Sequence, residues 1–353
     1  MEEWCGSTGT HEQMGGTSMD GGTSCRLAGQ LAAKAASGQR PAESLSLITV
    51  MRTRLIHVPY DSGHRGLRMG RGPLHFGEYG AAERLRALGH DVVESVIDVP
   101  APFPTEVGTS FALYRALSDA VCAAATGGAL PLVLAGNCGS ALGTVSGLRA
   151  ASPNDTSDVG VVWLDAHADF NTPEITTSGF LDGQMLSALT GGCWRALTAS
   201  IPGFRAVTDA HVVLVGARDL DAAEETALAA SRVTWVQAST IRTAGVEAAL
   251  GAALSTLAQR VSRVYLHIDL DVHDPEEVRA NQYAAPDGLS ASAVRDVVRC
   301  VAHRLPIAAA ALTAYDPTYD PEGRMLDVGM QLMECIGGQL RAGKPAWSWE
   351  GAS

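Results

Sequence analysis

The sequence predicts an α/β fold in which a mostly parallel sheet of about eight strands is covered by helices on both faces. Two observations predict it. Short apolar runs alternate with amphipathic stretches, and the polar motifs gather where the apolar runs end. Strands are expected, in order, at Arg54–Val58, Asp91–Ile97, Leu132–Ala135, Val159–Leu164, His211–Val215, Val233–Val236, Val264–Ile268 and Ile307–Leu312. Helices are expected at Phe111–Ala125, in the Ala/Glu-rich Asp221–Ala230, at Val246–Gln259 and at Ser292–Ala302. Strand–helix alternation implies crossover connections, and crossovers make neighbouring strands parallel. No internal repeat interrupts the pattern.

With 353 residues, 46% of them hydrophobic and 18% charged, the chain can bury a large core as one domain. Residues 1–50 are rich in Gly, Ser, Thr and Ala without sustained apolar period, and read as a disordered or upstream extension. The folded domain is expected over residues 51–353, and Met51 stands beside Met1 as a second candidate initiator. A net charge of -12, with no stretch concentrating Lys or Arg, excludes nucleic acid and anionic membrane surfaces as partners and points to a small molecule. No run approaches the roughly 20 apolar residues of a membrane span, and no secretory signal is recognisable, so a cytoplasmic protein is expected. The seven cysteines are scattered without CxxC spacing, which disfavours a disulfide framework or structural zinc site.

The most telling motif is Val162-Trp-Leu-Asp-Ala-His-Ala-Asp-Phe-Asn171, where an apolar run delivers Asp165, His167 and Asp169 at alternate positions. In extended backbone such residues share a face and can point into one pocket. The pattern recurs at Tyr265-Leu-His-Ile-Asp269-Leu-Asp271, followed by Asp274-Pro275. Carboxylate-dominated donors favour hard or borderline cations such as Mn²⁺. A pair of ions roughly 3.5–4 Å apart lowers the pKa of a shared water, so hydrolysis is the natural reaction class.

These separated motifs, in this order between about His57 and Met333, resemble the ureohydrolases: arginase, agmatinase and formiminoglutamase. The resemblance implies a three-layer α/β/α, arginase-like domain with an eight-stranded parallel sheet, and a trimer or hexamer. It implies two divalent ions held by Asp165, His167, Asp169, Asp269 and Asp271, with Asp165 and Asp269 bridging and Asp169 also handling a proton, and makes Cys138 a further candidate ligand. Thr176-Thr-Ser178-Gly179 and Gly216-Ala-Arg218-Asp219-Leu-Asp221 are similar to segments that grip an amino acid. By that similarity Asn171 and Ser178 bind a carboxylate, while Asp219 and Asp221 take an ammonium. Their plainer readings are a polar turn and a helix N-cap.

Three departures qualify the resemblance. Gly136-Asn137-Cys138 stands where the family usually has Gly-Gly-Asp-His, replacing an imidazole with a thiol. Cys138 either binds as thiolate, which favours zinc, or fills space as an inert thiol. A similar Cys is a feature of N-hydroxyarginine hydrolases. Asp182, in Leu181-Asp182-Gly183-Gln184, stands at an imidazole's place. It is a candidate to pair with a guanidinium or give a proton to the leaving amine, or else the N-cap of a helix starting near Gly183. Ala314, in Thr313-Ala314-Tyr315-Asp316-Pro317, replaces a glutamate that would face the guanidinium. Its loss leaves Asp182 or Asp316 as substitutes, or a distal group other than a plain guanidinium. His64, His75, His267 and His273 read as structural histidines, His267 sharing the strand face of Asp269 but lying deeper. The expected activity is hydrolysis of a guanidino or amidino C–N bond. A formimino hydrolase and a metal-poor, non-catalytic binding protein are the rivals.

Overall fold

The computed structural model describes residues 50–99, 105–153 and 158–341. The N-terminal extension expected over residues 1–50 falls, Val50 apart, outside the described residues. Eight strands form one sheet: β1 (Arg52–Val58), β2 (Asp91–Val96), β3 (Leu130–Ala135), β4 (Val159–Leu164), β5 (Val212–Val215), β6 (Thr234–Val236), β7 (Arg263–Asp269) and β8 (Ile307–Thr313). The order is β2-β1-β3-β8-β7-β4-β5-β6, with every pairing parallel. Each strand matches an expected apolar run to within a few residues.

Strand side chains alternate between two cores. Leu55, Leu132, Leu266 and Leu312 pack with Leu250 and Leu254 of helix Val246–Ala258, Val294 and Val298 of helix Ala291–Arg304, and Met330 of helix Arg324–Arg341. Ile56, Val133, Tyr265 and Ala311 face the other way, onto Phe111 and Leu117 of helix Glu106–Thr126 and Leu142 of helix Ser140–Ala150. Helices on both faces make the three-layer α/β/α architecture, because parallel strands buried on both sides need two apolar covers. β3, β4 and β7 are buried at every position, whereas edge strand β2 leaves Val93 and Val96 exposed.

Helix Ser140–Ala150 was not expected from the sequence, since Gly143 and Gly147 lower helix propensity. Close packing accounts for both. A Cβ at Gly143 would lie 2.6 Å from the Tyr114 carbonyl oxygen, and one at Gly147 2.5 Å from that of Ser118, so the glycines let this helix sit against Glu106–Thr126. After β1 the chain makes a small antiparallel hairpin, Tyr60–Asp61 with His64–Arg65. A Cβ at Gly136 would stand 2.2 Å from the Tyr60 carbonyl oxygen and 2.8 Å from the Gly70 nitrogen. Gly136→Ala is therefore expected to lower stability by about 1–3 kcal/mol, read as a shifted urea midpoint.

The sheet order sets the site. β3, β8, β7 and β4 are consecutive neighbours, so their carboxyl ends bring together Cys138, Thr313, Asp269, Asp271 and Asp165–Asp169. None of the described helices is long and apolar enough to cross a membrane. Among the described residues, Cys122, Cys138, Cys193, Cys300 and Cys335 are free.

Candidate active site

The residues expected to hold metal converge. Asp165, just past β4, is buried, accepting from Trp163 Nε1 at 3.0 Å on one oxygen and from the His167 backbone N–H at 2.8 Å on the other. His167 Nδ1 lies 3.3 Å from Asp165 and 3.5 Å from Asp271. Asp269 accepts from the Asp271 backbone N–H at 2.8 Å and from Cys138 Sγ at 2.9 Å. Donor atoms of Asp165, His167 and Asp271 all lie within 4.8 Å of one another, as do those of Cys138, Asp165 and His267. Asp165 thus belongs to both groups. Asp169 takes a left-handed backbone (φ 49), is buried, and leaves Oδ2 without a hydrogen-bond partner.

Electrostatics follow from this crowding. Burial, then neighbouring carboxylates, hold the carboxyls of Asp165, Asp169 and Asp269 above the usual range. Burial alone would lower the His167 pKa, but Asp271 and Asp165 push it up to about 10. Burial also raises the Cys138 thiol, with Asp269 next in effect, and lowers His267 to about 3, leaving a neutral imidazole.

Asp182 is placed beside this cluster but does not cap its own turn, Asp182–Gln184. Its carboxylate accepts from the Cys138 and Gly139 backbone N–H groups and from Asn137 Nδ2, each at 2.9 Å. Burial raises its pKa to about 7 against the lowering effect of those donors. Asn137 also accepts from the Ser62 N–H at 2.9 Å, and Asp61 pairs with Arg68 at 2.6 Å. Three loops meet at this one amide. Asp316 caps the next turn, accepting from the Thr318 N–H at 2.9 Å.

The expected head-group residues lie along one rim. Asn171 Nδ2 donates to Asp221 Oδ2 at 3.2 Å, and Thr177 Oγ1 donates to the same carboxylate at 2.9 Å. Asn171 Oδ1 is buried without a partner. Ser178 is exposed and accepts from the Phe180 N–H, while Asp219 comes within 3.9 Å of His167 Nε2. Asp221 does precede helix Ala222–Ala230, where Glu224 reaches back to its N–H at 3.3 Å and also accepts from the Phe170 N–H at 2.8 Å. Glu224 thus joins the metal-side loop to the head-group loop.

Two supporting residues carried no sequence signal beyond their neighbourhood. Arg218 donates to the carbonyls of Ala285 at 2.7 Å, Pro286 at 2.8 Å and Asp271 at 3.2 Å, pinning segment 271–286 to the end of β5. Arg218→Met is expected to weaken metal affinity roughly 10–100-fold, the cost of losing a ligand's support, measured by chelator competition. Asn281, fully buried, donates to the Ala314 carbonyl at 2.8 Å and approaches Asp271 at 3.4 Å. Ala314 is itself left-handed (φ 62). His64 is exposed, His75 packs on Tyr79 and Tyr315, and His273 turns Nδ1 to the Leu270 carbonyl at 2.9 Å.

A family model described as the arginase family matches residues 52–338. The chain belongs to the arginase family. Arginase-1 of Oryctolagus cuniculus is 31% identical over 252 residues, 67% of this chain and 76% of that protein. The arginase of Bacillus caldovelox is 29% identical over 299 residues, 81% of this chain and 97% of that protein. A solved structure of that arginase superposes with a TM-score of 0.75 at 26% identity, over 82% of this chain and 99% of that one. Formimidoylglutamase of Bacillus subtilis shares the fold, with a TM-score of 0.65 at 16% identity over 83% of this chain and 88% of that one. As an arginase-family member the protein is a hydrolase of C–N bonds in linear amidines.

The donors fit the divalent cations that the family uses. Buried carboxylates pressed together against their own repulsion and the orphaned Asp169 Oδ2 gain a partner when a cation is present, and the cation takes the place of the proton that Asp165 and Asp271 hold on His167. On the Asp165–His167–Asp271 side oxygen predominates, whereas Cys138 and His267 add softer donors on the other.

Proposed function

We propose that this arginase-family protein hydrolyses a guanidino or amidino C–N bond of an amino-acid-like substrate such as arginine or N-hydroxyarginine, releasing urea or a urea analogue and an amine. The observation that carries the reading is the link between the Asp165–His167–Asp271 group and the rim of Asn171, Thr177 and Asp221: Glu224 accepts from both the Phe170 and the Asp221 N–H, and Asp219 lies 3.9 Å from His167. Cys138, Asp165, His167, Asp169, Asp269 and Asp271 are the residues to hold two divalent ions, with Mn²⁺ favoured by the carboxylates and Zn²⁺ by Cys138. Such ions, when bound, supply Lewis acidity and lower the pKa of a water.

The chain's own side chains do the rest. Asp169 Oδ2, buried and unpartnered, accepts the proton of the attacking water and returns it to the departing amine. Asn171 and Ser178 hold the substrate carboxylate, and Asp219 and Asp221 its ammonium. Asp182, a candidate from sequence to pair with a guanidinium, give a proton or cap a helix, is better supported as the clamp that fixes Cys138. A homo-trimer or hexamer in the cytoplasm completes the reading.

Ala314 favours a distal group less basic than guanidinium, because an unpaired buried guanidinium costs several kcal/mol. An N-hydroxyguanidine meets that condition, and a formimino group is the second reading.

Elemental analysis before and after Mn²⁺ loading, with turnover of arginine, N-hydroxyarginine, agmatine and formiminoglutamate, tests this. About two ions per chain are expected, with agmatine, which lacks the carboxylate, turned over more slowly than its amino-acid counterpart. One ion or none, and no turnover, would replace the hydrolase with a non-catalytic binding protein.

A further inference from the structure

The sequence alone assigns His267 to the core, two residues upstream of Asp269 inside β7. Its surroundings are unusual for a filler. The ring is fully buried and stacks on Trp163 at 3.7 Å between centroids, 20° from parallel. Trp163 in turn donates from Nε1 to Asp165 at 3.0 Å. Nδ1 lies 2.8 Å from the Tyr265 hydroxyl, and Nε2 lies 3.4 Å from Thr313 Oγ1, which is 3.3 Å from Cys138 Sγ. Cys138, Asp165 and His267 present their donor atoms within 4.8 Å of one another.

We propose that Cys138, Asp165 and His267 form a transition-metal site with its own donor set, in which β7 supplies an imidazole to the ion on the thiol side of the cluster. The inference rests on the proposed reading that the cluster holds two cations, and adds which residues hold the first. Three arguments carry it. The donors come from the ends of β3 and β4 and from inside β7, all held by one sheet, so the site is built into the fold. Sulfur, nitrogen and oxygen together make a borderline-to-soft set, suited to Zn²⁺ or Co²⁺ in four-coordinate geometry, with Asp269, 2.9 Å from Cys138, as the remaining oxygen. A ligating imidazole ordinarily gives its other N–H to an oxygen acceptor, and the Tyr265 hydroxyl is placed to receive it from Nδ1, leaving Nε2 for the ion.

Binding contracts the group, since Zn–S and Zn–N bonds of about 2.3 and 2.0 Å bring donors roughly 3.5 Å apart. The Thr313 hydroxyl, which stands between Cys138 and His267, has the Ile268 carbonyl 3.4 Å away as its other acceptor. The two ions of the cluster then differ in kind. One sits among Asp165, His167 and Asp271 with hard donors, the other among thiolate, imidazole and carboxylate.

The test uses the whole chain loaded with Co²⁺ alone, comparing the unaltered protein with His267→Gln and Cys138→Ser. The unaltered protein is expected to bind about two cobalt ions, show a thiolate-to-cobalt charge-transfer band, and give two exchangeable, strongly shifted imidazole N–H resonances, from His167 and His267. Cys138→Ser should abolish the band. His267→Gln should lose one ion and one resonance while circular dichroism stays unchanged. A His267→Gln protein with two ions and an undiminished band overturns the proposal but leaves the hydrolase reading intact. An unaltered protein that binds no cobalt removes the hydrolase reading with it. If His267→Gln does not fold, the unaltered protein decides, because a single shifted N–H resonance excludes His267 and two include it.

Discussion

Asp165→Ala is expected to empty both halves of the cluster and to lower kcat/KM by more than the roughly 10–100-fold that losing a mere supporting group costs. Asp165 is shared by the two donor groups, so its removal takes a ligand from each. It also strands the Trp163 indole N–H and the His167 backbone N–H, both of which it now accepts. Asp169→Asn is the useful contrast, since it removes a proton carrier whose loss is expected to cost about 10²–10⁴ in kcat. Elemental analysis beside steady-state kinetics separates the two variants. An Asp165→Ala protein with two ions and near-native turnover would end the shared-ligand account.

Asp182→Ala is expected to be the most destabilising change beside the site, by about 3–5 kcal/mol in a urea unfolding series. Two buried backbone N–H groups and the Asn137 amide lose their acceptor at once, and each unsatisfied buried donor costs about 1–3 kcal/mol. Because Asn137 also accepts from the Ser62 N–H, the defect spreads to the hairpin loop. Asp182→Asn, able to accept on one oxygen only, should fall between. Unchanged stability in Asp182→Ala, together with lost turnover, would instead mark the carboxylate as a participant in proton transfer.

The central strands were legible because β3, β4 and β7 are apolar runs buried on both faces. The metal-side residues were legible because their carboxylates and imidazole follow directly on β4 and β7, although Asp165–Asp169 lie in the loop past β4 rather than on one face of extended backbone. Cys138 could be placed from its motif at the end of β3. Less legible was the helix Ser140–Ala150, whose glycines argue against a helix until the backbone of Glu106–Thr126 is seen lying against them. Helix Arg324–Arg341 carries no clear sequence signal either, although its Met325, Met330 and Ile336 lie in the same core as Leu55 and Leu312. Arg218 illustrates a deeper limit. Nothing in Gly-Ala-Arg-Asp announces that the guanidinium will serve main-chain carbonyls some 50 to 70 residues away, because such acceptors carry no side-chain identity. The same holds for Asp182, two of whose three donors are peptide N–H groups.

Ala314 has a consequence for how this protein can change. An L-residue in left-handed backbone carries roughly 1–2 kcal/mol of strain, which glycine would relieve and asparagine or aspartate would lessen. Asn281 braces that conformation through the Ala314 carbonyl. A glutamate in the same backbone would carry about the strain that Ala314 already carries, so the conformation leaves Ala314→Glu open as a single change, and raised turnover of arginine is its expected signature.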